Sequence, residues 1–318
     1  MTRTEVFFLA AAVLLTGAGC GRDQDMNAPS GDAAAPQGTG AAVAFAGRVV
    51  FQSDADGDNE IYVLTAEGLS QLTHNTWSDE YPLWSPDGRW ISFSANPDGQ
   101  YDIFVMAADG SGLRRVTSSA RDEVEQAWTP DGRKLAYTEE VKRPFGKRYS
   151  LWVKDLATDA VERLAPEFPD SAALPNFSPS SPLLAFTGKK TPGWDVFVYD
   201  MAARTFRALT EGGHACRPHF SPDGRTITYV SHEADRRGDI WLMASDGGGK
   251  RRLTVRDETS DYFPTWSPDG RAVLFCSSAE TMYAYEGRWG MYLVDVATGK
   301  VTLFFDGPGR DVFPDWHE

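Results

Sequence analysis

One phrase recurs along this chain and limits its possible folds more than any other feature. It reads Tyr81-Pro-Leu-Trp84-Ser-Pro-Asp-Gly88, then Glu125-Gln-Ala-Trp128-Thr-Pro-Asp-Gly132, then Leu174-Pro-Asn-Phe177-Ser-Pro179. Arg217-Pro-His-Phe220-Ser-Pro-Asp-Gly224 and Phe263-Pro-Thr-Trp266-Ser-Pro-Asp-Gly270 follow, and the chain ends on Phe313-Pro-Asp-Trp316. The aromatic positions 84, 128, 177, 220, 266 and 316 are spaced by 44, 49, 43, 46 and 50 residues. A period in the forties, filled with short strands, is the mark of a β-propeller. Thirty Gly, 19 Pro and 12% aromatic residues suit such a turn-rich, all-β chain.

Each unit parses into four strands. Strand A carries the aromatic residue and runs into Ser-Pro-Asp-Gly, where Pro presets φ, Asp bonds the backbone and Gly takes φ > 0. Strand B follows, as in Trp90–Ser94 and Thr226–Val230; strand C is Asp102–Met106, Asp195–Tyr199 or Asp239–Met243. The short outer strand D is Arg114–Thr117, Arg207–Thr210 or Arg252–Thr254. At the start, Arg48–Ser53, Glu60–Leu64 and Ser70–Thr73 read as B, C and D with no A before them. The orphan strand A at Val312–Trp316 supplies the missing piece, so the ends are expected to close one ring of six blades and leave no open sheet edge.

The first residues read as an address. Val6–Leu15 is an unbroken apolar run of ten residues behind Arg3, half the length needed to span a bilayer. Thr16-Gly17-Ala18-Gly19-Cys20 follows and resembles a bacterial lipobox, in which Cys20 would be diacylated and become the first mature residue. An ordinary secretory signal cut near Ala18 is the other reading. Gly21 after the cysteine implies outer-membrane sorting in a Gram-negative cell. The expected organisation is a signal over 1–19, a flexible Gly/Ala/Pro-rich tether over 20–45 and the propeller over 46–318.

The aromatic-Ser-Pro-Asp-Gly turn, together with Asp102-Ile-Phe-Val-Met106 and Asp109-Gly110, resembles the propeller repeats of the TolB family, periplasmic components of the Tol envelope system. The resemblance covers about residues 46–318. It implies a non-enzymatic protein- or peptide-binding role in the cell envelope, with a channel that takes extended peptide segments and holds Ca²⁺. Similar repeats occur in peptidase and lyase propellers, so the alternative is a propeller enzyme acting on carbohydrate or peptide. TolB has a further N-terminal α/β domain where this chain has the tether. The third copy departs from the pattern, with Ser180-Ser181 in place of Asp-Gly.

The B–C loops vary in length while the A–B turns do not, which marks one face for binding. Five residues before each strand-A aromatic stand Asp79, Glu123, Ala172, Ala215, Asp261 and Asp311. These positions are expected at the channel mouth, where four carboxylates would attract a cation or a basic segment. Turn capping is the competing role. His214 and Arg217 join them as candidate binding residues, and as the site of the alternative enzyme. Candidate Ca²⁺ ligands are Asp79, Asp261 and Asp311, or the alternating Asp54, Asp56 and Asp58, which also fit a plain hairpin turn. The basic loop Lys142–Arg148 would face an acidic partner or solvent. Tyr283, Tyr285 and Trp289 would anchor a partner or pack over the channel. No catalytic residue is assigned: there is no G-x-S-x-G elbow and no H-E-x-x-H. Cys216 and Cys276 lie on neighbouring repeats and are not expected to pair. Acidic residues number 45 against 31 basic ones, a formal charge of −14 that argues against nucleic acid as a partner. Membrane contact is expected through the lipid alone.

Overall fold

The computed structural model describes residues 43–144, 146–190, 193–234, 236–279 and 288–318. The signal, Cys20 and most of the tether lie outside these residues, as do Tyr283 and Tyr285. The described residues form six four-stranded antiparallel sheets, each running A-B-C-D from the axis outward. Five inner strands, Asp79–Trp84, Asp122–Trp128, Ala172–Phe177, Ala215–Phe220 and Ser260–Trp266, open blades 2 to 6. Blade 1 is composite. Its inner strand Val312–His317 pairs with Arg48–Ser53, with Val49 opposite Trp316 and Arg48 opposite His317. The chain ends thus close the ring as the orphan strands require. Phe45, at the end of the expected tether, already packs on Phe304 and Trp316 at centroid distances of 4.9 and 5.8 Å.

The Ser-Pro-Asp-Gly turns share one hydrogen-bond pattern. Ser85 Oγ donates to Asp87 Oδ1 (2.6 Å), Arg89 N donates to the same oxygen (3.1 Å), and Trp90 N donates to Ser85 Oγ (3.0 Å). Thr129, Ser221 and Ser267 repeat the first bond to Asp131, Asp223 and Asp269 at 2.6, 2.6 and 2.7 Å. The Ser85 hydroxyl holds the Asp87 carboxyl below its usual range. Gly88 sits at φ 65°, where a side chain would be strained and its Cβ would strike the His317 ring. In the departing copy Ser181 Oγ donates to Ser178 Oγ at 2.8 Å, so a serine pair substitutes for Asp-Gly.

A cross-strand aromatic pair forms the middle of every blade. Phe51 faces Tyr62, Phe93 faces Phe104 and Tyr137 faces Trp152. Phe186 faces Phe197, Tyr229 faces Trp241 and Phe275 faces Tyr292. The strand-B members are 0–3% exposed and wedge against the preceding blade. Burying each side chain contributes roughly 1.5–3 kcal/mol. Phenylalanine serves in four blades and tyrosine in two.

Candidate functional site

The inner strands share a backbone irregularity that builds the channel wall. Tyr81, Glu125, Leu174, Arg217, Phe263 and Phe313, three residues before each aromatic, all sit at positive φ, between 54° and 59°. Each A–B pairing slips just there, for example between Glu80 and Leu83 and between Tyr262 and Thr265. These are β-bulges, and in five copies the next residue is proline, which an inner strand tolerates because no neighbour needs its N–H. A left-handed non-glycine residue costs about 1–2 kcal/mol, a cost repeated in every blade. The bulges bring one side chain per blade into a central cavity of about 120 Å³.

That cavity is aromatic on one side. Phe313 lies between Tyr81 (4.3 Å between centroids) and Phe263 (3.9 Å). The Arg217 guanidinium carbon stands 4.7 Å above the Phe263 ring and 5.3 Å above that of Phe313. Arg217 Nε has no hydrogen-bond partner among the described residues. Two positions further along, Asn176, His219, Thr265 and Asp315 make a polar girdle. Asp315 accepts from the Trp84 amide (2.8 Å) and from Thr265 Oγ1 (3.3 Å), while His219 Nδ1 lies 3.2 Å from the Pro264 carbonyl. Burial lowers the His219 pKa, against the pull of Asp315; burial raises that of Asp315, against the pull of His219.

The four expected carboxylates do not ring the opening. Asp79, Glu123, Asp261 and Asp311 are 1, 3, 0 and 1% exposed. The first three lie at blade junctions, each beside a threonine of the previous blade (Thr73, Thr117, Thr254), and Asp79 and Glu123 also beside a strand-C acid, Glu60 and Asp102. Between blades 1 and 2, Asn75 Nδ2 donates to Asp79 (2.7 Å) and to Glu60 (3.2 Å). Burial, then Glu60, pushes the Asp79 pKa up to about 8. Between blades 2 and 3, Glu123 engages Asp102, Thr117 and Ser119, and burial raises its pKa. Between blades 5 and 6, Asp261 accepts from Ser277 Oγ (2.6 Å) and lies 3.6 Å from Arg256. Asp311 accepts from Gly307 N (2.7 Å), and its pKa is pushed up to about 7 by burial. These acids hold junctions together. The bulge is the reason: it shifts the side-chain parity, so the position five before the aromatic faces the junction and the position three before faces the channel.

The proposed Ca²⁺ sets fail on the same geometry. Among the described residues no group of three His, Cys, Asp or Glu side chains is placed to hold a metal ion. Asp79, Asp261 and Asp311 serve separate networks. Asp54 instead accepts from the Arg310 amide (2.7 Å) and Asp56 from Gln71 Nε2 (2.6 Å), within a plain hairpin turn. His214 and Arg217 are also not brought together: Arg217 lines the channel, whereas His214 is exposed on a groove between blades 4 and 5. Lys142 and Lys147 of the basic loop pair with Asp122 (3.5 Å) and Glu140 (3.0 Å) along an extended hairpin. Trp289 is 3% exposed and packs edge-on to Tyr262 and tilted against Phe263, behind the channel wall, so it is no free anchor. Cys276 is a free, buried thiol, so it forms no bridge to Cys216. Apart from Arg217, the sequence reading missed the channel ring itself, although proline two residues before the aromatic in five of the six copies signalled the bulge.

A family model described as the TolB beta propeller domain matches residues 32–148 and 127–307. An uncharacterized protein of Agrobacterium fabrum is 31% identical over 247 residues, which is 74% of this chain and 80% of that protein. Dipeptidyl-peptidase 5 of Porphyromonas gingivalis is 25% identical over 303 residues, 77% of this chain but 43% of the peptidase. The crystal structure of TolB from Acinetobacter baumannii superimposes with a TM-score of 0.67 at 18% identity, covering 85% of this chain and 66% of that one. At that identity the likeness is one of fold.

Proposed function

Because the chain belongs to the family of the TolB beta propeller domain, we propose that it is an exported cell-envelope protein that binds a protein or peptide segment in its central channel and performs no chemistry on it. Cys20 carries the lipid, and the tether lets the propeller stand away from an outer membrane facing the periplasm. One observation carries the binding assignment. Arg217 is held over two phenylalanine faces with its Nε unpartnered among the described residues, inside a cavity whose opposite wall includes Glu125 and Leu174. An extended segment laid there stacks an apolar side chain on Phe263 and Phe313 and places a carbonyl or carboxylate on Arg217. The ligand meets an aromatic wall with single opposite charges, not a ring of carboxylates.

The test is recovery of partners from an envelope extract by the wild-type protein and by Arg217→Ala. Loss of a specific partner with an unchanged melting temperature supports the reading, and undiminished recovery rejects it. The alternative, an enzyme acting on carbohydrate or peptide, draws on His219 beside Asp315 in the same channel. The described lining residues include no serine or cysteine, so a covalent mechanism there would fall to a group such as the Glu125 carboxylate. The peptidase match spans under half of that protein. Turnover of a peptide or oligosaccharide library that disappears in His219→Ala would favour the enzyme.

A further inference from the structure

The junction between blades 4 and 5 departs from its counterparts. Where blades 2, 3 and 6 place Asp79, Glu123 and Asp261, blades 4 and 5 have Ala172 and Ala215, and beside Ala215 a groove of about 460 Å³ opens between blades 4 and 5. The strand-C acid of this junction, Asp195, is fully occupied: Thr210 Oγ1 donates to one oxygen (2.9 Å) and Gly213 N to the other (3.0 Å). Beside the groove, strand B of blade 5 carries tyrosine where four blades carry phenylalanine. The other tyrosine of this set, Tyr137, engages the Glu123 carboxyl. Tyr229 has no such partner: it is 2% exposed, yet its hydroxyl makes no hydrogen bond among the described residues and borders the groove. Burial, then Glu233, raises its pKa.

The lining chemistry selects the ligand. Glu211, Glu233 and Asp246 are exposed carboxylates on the groove, against one amine, Lys250, which already donates to the Gly247 carbonyl (2.8 Å). His214 and Ser231 complete the polar wall, and Leu209, Ala208 and Ala215 supply an apolar side. This excess of carboxylate disfavours an anion. The described residues offer no three-ligand metal set. A sugar would want an exposed aromatic face, and the Tyr229 ring is packed against Trp241 (6.4 Å).

We propose that the groove between blades 4 and 5 is a second binding site, separate from the channel, for an organic cation, a lysine or arginine side chain of a partner or a polyamine. The Tyr229 hydroxyl accepts one N–H, Glu211 and Glu233 bind the charge, and the aliphatic stem lies along Leu209 and Ala215. Calorimetric titration of the full protein with an end-blocked trilysine peptide and with spermidine tests this. Tyr229→Phe keeps the aromatic pair, as four blades already show, and should weaken binding about fivefold. Glu233→Gln should weaken it about tenfold, and Arg217→Ala in the channel should leave it unchanged. Tighter binding of trilysine assigns the site to a protein side chain; tighter binding of spermidine assigns it to a free polyamine. The proposal is overturned if neither cation binds at millimolar concentration, if both variants bind like the wild type, or if citrate competes for the groove. Should Tyr229→Phe lose stability, the exposed Glu233→Gln decides alone.

Discussion

Asp79→Asn should reverse its effect on stability between acid and alkaline pH. Asp79 and Glu60 are 1 and 0% exposed, share Asn75, and carry two carboxyls where burial favours the neutral form. In the folded protein the Asp79 pKa is raised from 3.8 to about 8. A raised carboxyl pKa means that the folded state binds more protons than the unfolded state between those values, so stability falls as pH rises through the window. At about 1.4 kcal/mol per unit, the loss across it is on the order of 5 kcal/mol. Asparagine matches the shape, donates to Glu60 in place of the shared proton and cannot ionise. Near pH 5 the variant should be less stable by about 1 kcal/mol, the worth of one imperfect hydrogen bond. Near pH 9 it should be more stable by on the order of 3 kcal/mol, because about 4 kcal/mol of the wild type's loss falls above pH 5, where only the wild type gains a buried charge. Urea unfolding followed by tryptophan fluorescence at the two pH values gives both numbers. Parallel losses at both pH values would mean that Asp79 is ionised in the folded protein, and the junction network would need another explanation.

Two further outcomes follow from the architecture. Deleting residues 312–318 removes the inner strand of blade 1 and the Trp316 contacts to Phe304 and Phe45, so the melting temperature should fall steeply; an unchanged value would refute closure by the C-terminus. Cys20→Ala should release the mature protein from membranes or leave an uncleaved precursor, and a mature variant that stays with the membrane fraction would refute the lipid anchor.

The ring was legible because its signals are local and repeated. A tight turn needs Pro, Asp and Gly in fixed order, and Trp316 without a following turn exposed the split blade. The candidate site was less legible because it depends on parity. Counting back five residues from Trp84 reaches Asp79, and regular alternation would put its carboxyl beside the channel. The bulge at Tyr81 adds a residue, turns Asp79 into the junction and turns Tyr81 toward the axis. Tyr229 illustrates a different limit: its tyrosine is an ordinary strand residue until Ala215 is seen to leave its hydroxyl unmet.

The central claim is that a polypeptide segment occupies the channel, and a photo-crosslinking residue at Leu174 tests it most directly. Leu174 projects into the cavity from the bulge of blade 4, and the exposed Val161 on an outer strand serves as the control. Irradiated in cells, the Leu174 probe should capture a defined envelope polypeptide, the Val161 probe should not, and Arg217→Ala should abolish the adduct. Equal labelling from both positions, or a Leu174 probe that captures nothing while the protein is folded and in place, would contradict the account.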